Sequence, residues 1–393
     1  MRAMIGIGLL WFGLGLSVQG QQLRWLTHSS GRPVIAYAVS GNGQVVVGSL
    51  PFCEIDPEEY RCHYFDHPFR WIVPRNEVYD LSEGGEVDGV AFGTSFWGDV
   101  IVGRLDGGGF RWGAGGYYYA GPAMNVSGDG RVVVGRWGSR AFRHVWGQPI
   151  ETLGTLGGSQ SEAWDTSWDG SVVVGRAQDP QGNWRAFRWT TETGIRDLGT
   201  LPGGGQESGA TAVSADGQVI VGWSLVWWGE SRAVRWRDTS GIQELGTLWG
   251  GGDSVAQDVS ADGQVIVGWA HTRDGNQAVR WRAGSDIENL NLTYQAFLQS
   301  DEVLRRATGV SADGRYIVGW GERGGVVSAF WLDTRLTGDV DGDECVDDQD
   351  LLRVLFAFGQ VGSELPEDLD EDGMVWDSDL VLVLTHFGRG CNR

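Results

Sequence analysis

Two stretches near the C-terminus carry the most explicit chemistry in the chain. DVDGDECVDDQD from Asp339 and DLDEDGMVWDSD from Asp368 each place aspartate at positions 1, 3, 5 and 12 of a twelve-residue loop, and the loops start 29 residues apart. Hard oxygen donors at this spacing wrap a calcium ion, with a backbone carbonyl at position 7 and a carboxylate at position 12 closing the shell. The expected ligands are Asp339, Asp341, Asp343, the carbonyl of Cys345, Asp347 and Asp350 in the first loop. In the second they are Asp368, Asp370, Asp372, the carbonyl of Met374, and Asp379. An apolar stretch follows each loop, LLRVLFAFG from Leu351 and LVLVLTHFG from Leu380, with Phe358 and Phe387 at matching places. One acidic run alone reads as solvated surface, whereas two registered loop-plus-helix copies read as a duplicated module with two Ca2+ sites. Glu344 stands where a position 6 glycine would make the sharp turn, and Trp376 at position 9 leaves the second loop one side-chain ligand short.

Elsewhere the candidate chemistry is thinner. The segment PFCEIDPEEYRCHYFDHPFRW gathers Glu54, Asp56, Glu58, Glu59, His63, Asp66 and His67 around Cys53 and Cys62. His63 and His67, four apart and beside Asp66, would hold a metal on a helix. Pro57 and Pro68 flank the stretch, and a disulfide-pinned surface loop accounts for the same residues. No GxSxG, HExxH or CxxC pattern occurs, so no catalytic residue is assigned. A carboxylate pair from different repeats meeting at one central mouth would leave no signature in the sequence. All 30 cationic side chains are arginine, which excludes lysine Schiff-base chemistry and a GxxxxGK[ST] phosphate loop. A formal charge of −21 would repel a phosphate backbone, so nucleic acid is not an expected partner.

The elements that must position any site are written as a repeat. SADGQVIVGW runs from Ser214 and again from Ser260, with SADGRYIVGW from Ser311 and looser versions from Ser40, Ser95, Ser127 and Ser167. The closing glycines of these seven copies lie 55, 32, 40, 47, 46 and 51 residues apart, periods that suit four short strands per unit. A DG pair between β-rich runs predicts a hairpin, and apolar triplets such as Val132–Val134 predict strands covered on both faces. The third strand is expected in AFRW or AVRW segments and the fourth in RDLGTLPGGG from Arg196 or QELGTLWGGG from Gln243. Serine and aspartate of each phrase read as turn chemistry, and the RW pairs as packing. The predicted fold is an all-β propeller of seven four-stranded blades, six or eight being the alternatives around the irregular second unit. The last unit stops at its third strand, AFWLD, so LRWL from Leu23 is expected to supply the fourth strand and close the ring.

The N-terminus has Arg2 ahead of an apolar run from Ile5 to Val18 and small residues near Gly20, the layout of a secretory signal peptide cleaved after Gly20. No later segment is long enough to span a membrane. Residues 337–393 hold fifteen Asp/Glu against three Arg, which sets them apart from the repeats. The organisation expected is a signal peptide over 1–20, a propeller over 21–336 and a small helical calcium-binding domain over 337–393. Four cysteines in an exported chain suggest two disulfides, and of three connectivities the expected one joins Cys53 to Cys62 and Cys345 to Cys391.

On its AFRW, LGTLGG and VSADG phrases, the region 23–333 resembles the HAF-type probable extracellular repeat proteins. That resemblance implies a bacterial, secreted or cell-surface propeller and brings no catalytic residues. With aspartate at position 12 of each loop, residues 338–391 resemble a type I dockerin, which implies a cohesin-like partner or a surface scaffold. In that family positions 10 and 11 contact the partner; here they are Asp348 and Gln349, and Asp377 and Ser378. The leading expectation is therefore a non-catalytic exported propeller that binds a ligand, a polysaccharide or a protein, and is assembled through its calcium module. A carbohydrate-active enzyme displayed by the same module and a purely structural surface protein are the alternatives.

Overall fold

The computed structural model describes residues 22–28, 30–55, 62–82, 88–249, 252–282, 286–342, 345–362, 365–370, 372–389 and 391, with only the backbone of 22, 52–55 and 62–64. The expected signal peptide and the side chains of Cys53, Cys62, Glu54, Asp56, Glu58, Glu59 and His63 lie outside the described residues. The chain falls into two compact units, one dominated by Trp25–Phe330 and a second dominated by Trp331–Arg393.

The first unit is a seven-bladed β-propeller: the strands form seven separate sheets of four, each running from an innermost to an outermost strand. Blade 1 starts with Ile35–Val39, and the innermost strands of blades 2 to 7 are Gly89–Thr94, Ala123–Val126, Ser161–Thr166, Ser208–Val213, Ser254–Val259 and Glu302–Val310. In blade 7 the strand order places Gln22–Leu26 against Val326–Asp333, so the N-terminal strand completes the last sheet. The apolar triplets are covered on both faces: Val132, Val133 and Val134 are all buried, as are Val172, Val173 and Val174.

The repeated phrase is a turn. Ser214 Oγ donates to Asp216 Oδ1 at 2.6 Å and accepts from the Val219 N–H at 2.9 Å, while Asp216 Oδ1 accepts from the Gln218 N–H. The same hydroxyl-to-carboxylate pairing recurs at Ser127, Ser167, Ser260 and Ser311, with an asparagine, Asn42, in blade 1 and Asp99 two residues later in blade 2. The residues next to the serines have a further role. Ala215 donates its N–H to Ala261 O, Ala261 to Ala312 O and Ala312 to Gly41 O. Asn42 donates to Phe96 O, Phe96 to Gly128 O, Asp129 to Trp168 O and Trp168 to Ala215 O. Seven backbone bonds thus run once around the axis, which only small turns brought close together can do. At Gly41 a Cβ would stand 2.1 Å from the Phe96 ring, so the closest turns are glycine.

The RW arginines pack between blades. Arg70 lies 5.2 Å from the Trp112 ring centre, Arg111 4.3 Å from Trp146 and Arg143 5.6 Å from Trp189, each tryptophan belonging to the next blade. Two expectations need correction. The fourth strand is Gly194–Asp197 or Gly241–Glu244, ahead of the LGTL phrase, which has no strand of its own. Its leucines pack inward instead: Leu198 and Leu201 lie against one core cluster, Leu245 and Leu248 against another. The first-unit insertion is not a surface loop at its base but an extension of one hairpin, Val45–Ile55 paired with Cys62–Ile72, with Pro68 inside the strand opposite Ser49.

The second unit contains two ten-residue helices, Asp348–Ala357 and Asp377–His386, around a core of Val346, Val354, Val375 and Val383. A disulfide joins Cys345 to Cys391 with their Cα atoms 4.5 Å apart. No helix among the described residues is long and apolar enough to cross a membrane.

Candidate functional site

Two places in the molecule collect chemistry: the centre of the propeller and the two acidic loops. In each innermost strand the register slips by one residue just after a buried alanine, at Ala36, Ala91, Ala123, Ala163, Ala210, Ala256 and Ala307. Such a bulge re-aims the extra residue. Tyr37, Phe92, Met124, Trp164, Thr211, Gln257 and Thr308 are the seven extra residues, and all seven line one cavity of about 620 Å3 on the propeller axis. Ligand sites occupy cavities of roughly 300–1,000 Å3. Trp223 and Trp269, from the second strands of blades 5 and 6, also line it. These are the closing residues of the repeated phrase, so the phrase contributes its tryptophan rather than its aspartate to the site.

Two carboxyl groups line this cavity, Asp165 from blade 4 and Asp258 from blade 6. Both bind the next blade's backbone: Asp165 Oδ2 accepts the Val213 N–H at 2.7 Å, and Asp258 Oδ2 accepts the Val310 N–H at 2.8 Å. Asn125 Nδ2 donates to Asp165 Oδ1 at 2.5 Å while its Oδ1 takes the Val126 N–H, so three consecutive blades share one polar chain. Enclosure disfavours the ionised forms. Burial, together with the charge of Asp258, pushes Asp165 up to about 8, and burial pushes Asp258 up to about 6 despite its two backbone donors. The charge of Asp258 is thus a second cause, after burial, that favours the protonated form of Asp165. No sequence signature marked these residues. The only available signal is the pattern Ala-x-x-(Val/Thr)-Ser ahead of every turn, in which AWDTS and AQDVS carry aspartate where AYAVS and ATAVS carry alanine.

Arg306, in the innermost strand of blade 7, also lines the cavity. Its guanidinium carbon lies 4.5 Å from the Trp269 ring centre and 5.5 Å from that of Trp320. Its Nε and the Trp269 indole Nε1 are buried donors that no acceptor meets among the described residues. Burial lowers the pKa of Arg306, and no carboxylate lies in ion-pair reach of it among the described residues. In blade 4 the residue at the same strand position is Glu162, which pairs with Arg136 and Arg176 at 3.0 Å.

In the second unit the expected ligands gather in two groups. Carboxylate oxygens of Asp339, Asp341 and Asp350 lie within 4.8 Å of one another, as do those of Asp368, Asp370 and Asp372. The position 12 carboxylates are bonded alike. Asp350 accepts the N–H groups of Val340, Asp341 and Asp347; Asp379 accepts those of Leu369, Asp370 and Trp376. The loops also exchange backbone bonds with the chain beyond the opposite helix: Gly388 donates to Val346 O, and Gly359 donates to Val375 O. Asp379 is not part of the tight second group, Asp347 instead caps the first helix by accepting the Gln349 N–H, and Asp343 lies outside the described residues. Burial, with the nearby charges of Asp379 and Asp372, holds Asp368 above the usual carboxylate range. Asp348, Gln349, Asp377 and Ser378 are all exposed in the first turns of the two helices. Along the same helices Leu352, Leu355, Phe356, Val381 and Leu384 are exposed as well.

The histidine cluster does not form a metal site on a helix, because His67 sits in a strand. It is buried, with Nδ1 2.7 Å from Asp80 Oδ2 and 2.9 Å from Ser82 Oγ.

No family model matches the chain, and no curated protein matches it. Among solved structures, the β-propeller domain of the Trilobed protease from Pyrococcus furiosus aligns with a TM-score of 0.49 and 10% identity, over 76% of this chain and 95% of that one. TolB from Acinetobacter baumannii aligns at 0.40 and 13%, over 75% and 81%, and a putative TolB from Agrobacterium tumefaciens at 0.41 and 16%, over 56% and 85%.

Proposed function

We propose that this chain is a secreted or cell-surface binding propeller of the HAF-repeat kind, held in an assembly through a calcium-folded, dockerin-like C-terminal unit. The propeller supplies the ligand site in its central cavity; the second unit supplies attachment. The observation that carries the attachment reading is the matched bonding of the two acidic loops. Each position 12 carboxylate ties the start of its own loop to its own helix through three backbone N–H groups, and three carboxylates converge in each loop. An all-carboxylate oxygen set fits calcium and not a thiolate- or imidazole-seeking metal. Asp339, Asp341 and Asp350, and Asp368, Asp370 and Asp372, would hold the two ions, completed by Asp343, Asp347, Asp379 and the carbonyls of Cys345 and Met374. Neutralising the crowded charges, the ions would fix the helices so that Asp348, Gln349, Asp377, Ser378 and the adjoining apolar side chains face a cohesin-like partner.

The test is calcium titration of the full chain, followed by capture on a panel of immobilised cohesins with and without EDTA. A calcium-dependent rise in the melting temperature of the C-terminal unit and EDTA-sensitive capture are expected. A melting profile indifferent to both calcium and EDTA sinks the reading.

A second reading, a carbohydrate-active enzyme displayed by the same unit, is favoured by one observation, the Asp165 and Asp258 pair in one cavity. Carboxyls of unequal acidity are the parts of a general acid and base. Both are already bonded to neighbouring blades, which places the binding reading first. Glycan hydrolysis abolished by Asp258→Asn would reverse that order.

A further inference from the structure

The wall of the central cavity carries an arginine that no carboxylate pairs with among the described residues. Arg306 is held between two tryptophan rings with its Nε unmet, and the Trp269 indole N–H beside it is unmet too. Leaving two buried donors unpaired costs free energy, and a cation without a counter-ion costs more. In a chain with a formal charge of −21, an unpaired arginine is not explained by a shortage of carboxylates. The surrounding surface is aromatic: Tyr37, Trp164 and Trp223 stand half-buried on the cavity wall. Beyond the wall, the hairpin joining the wall residues Leu225 and Ser231 carries Trp227 and Trp228, 76% and 84% exposed, and the crossover leading to the wall residue Val255 carries Trp249, 100% exposed. Exposed indole rings on loops that adjoin wall residues offer area for flat, weakly polar faces.

On this basis, and resting on the reading of the cavity as the binding site, we propose that the propeller binds an acidic oligosaccharide. One uronic-acid residue enters the cavity, its carboxylate meeting the Arg306 guanidinium and the Trp269 N–H, and its ring stacks on the wall tryptophans. Neighbouring sugars extend over Trp227, Trp228 and Trp249. A guanidinium presents a planar fork that matches a carboxylate, and pyranose faces suit indole rings.

The experiment is calorimetry and tryptophan quenching of the full chain at pH 7 with trigalacturonate, a glucuronate trisaccharide, the trigalacturonate methyl ester, maltotriose and the peptide Gly-Gly-Phe. Binding of at least one acidic trisaccharide is expected, with esterification weakening it about ten- to a hundredfold. Arg306→Gln should remove that preference by bringing the affinity for the acid down to that for the ester, and Trp228→Ala, on the exposed hairpin, should weaken trigalacturonate while leaving the acid-over-ester preference in place. Equal binding of ester or maltotriose overturns the acidic assignment while keeping the cavity as a sugar site. Tighter binding of the peptide assigns the cavity to C-terminal carboxylates instead, and also overturns the proposal. No response to any of the five sinks both this proposal and the binding role of the cavity, whereas the calcium titration judges the attachment unit separately.

Discussion

The ring is predicted to depend on its N-terminal strand, and Trp25→Ala is the sharpest probe. Trp25 is 8% exposed and meets Phe330 edge-on, with ring centres 6.0 Å apart; its neighbour Leu26 is 2% exposed. Emptying a buried tryptophan site costs about 3–5 kcal/mol. For a cooperative unit of roughly 300 residues that is a fall of about 5–8 °C in melting temperature. Deleting residues 22–26 should cost more, since it also strips a row of ladder hydrogen bonds worth about 1 kcal/mol each and leaves Val326–Asp333 as an unprotected edge. The assay is urea unfolding followed by far-UV circular dichroism, with Trp228→Ala as the control. That side chain is 84% exposed, and its loss should move stability by less than about 0.5 kcal/mol. If Trp25→Ala unfolds at the same urea concentration as the control, the N-terminal strand does not close the ring and the strand order in blade 7 is wrong.

Two further outcomes are expected. Asp165 binds its proton up to about pH 8 when folded against an ordinary 3.8, so the folded state holds the extra proton and stability falls as pH rises through that interval. His28 and His144, lowered by burial, act in the opposite sense but only below 6.5. Between pH 6.5 and 8 the decline should therefore approach about 2 kcal/mol, and Asp165→Asn should flatten it; a wild-type stability that holds level or rises across this window rules out the assignment. Ser214→Ala leaves the buried Val219 N–H without its acceptor and should cost about 1–3 kcal/mol in urea unfolding, while Gln218→Ala, at an exposed turn position, should cost almost nothing. Equal effects would mean that the repeated serine is not a structural turn residue.

Much of the architecture could be read from local patterns. Seven copies of a Ser-x-x-Gly turn, five of them Ser-x-Asp-Gly, each followed by an apolar triplet, specify seven hairpins, because turn chemistry and strand propensity act over a few residues. The missing fourth strand of the last unit pointed to the N-terminal segment for the same reason. The LGTL phrase misled because leucines at its ends satisfy a burial pattern equally well in a strand or in a crossover packed on a neighbouring blade, as Leu198 and Leu201 show. The insertion around Cys53 was misread because proline reads as a strand breaker, although Pro68 is tolerated opposite Ser49 in a long hairpin. The paired acidic loops were legible because the spacing of donors along twelve residues is local, and three carboxylates gather in each, Asp339, Asp341 and Asp350 in one and Asp368, Asp370 and Asp372 in the other.

By itself, then, the sequence determined what depends on neighbours in the chain: the turns, the hairpins, their number and the two oxygen-rich loops. Asp165 and Asp258 lie 93 residues apart, and nothing within either segment distinguishes a carboxyl that binds the next blade from one that faces water. Only closure of the ring brings seven bulged residues into one cavity, buries two aspartates enough to raise their pKa values, and leaves Arg306 between tryptophans without a carboxylate partner among the described residues. Burial and electrostatic coupling are properties of space, not of sequence distance, so the cavity's chemistry appears only once the blades are packed.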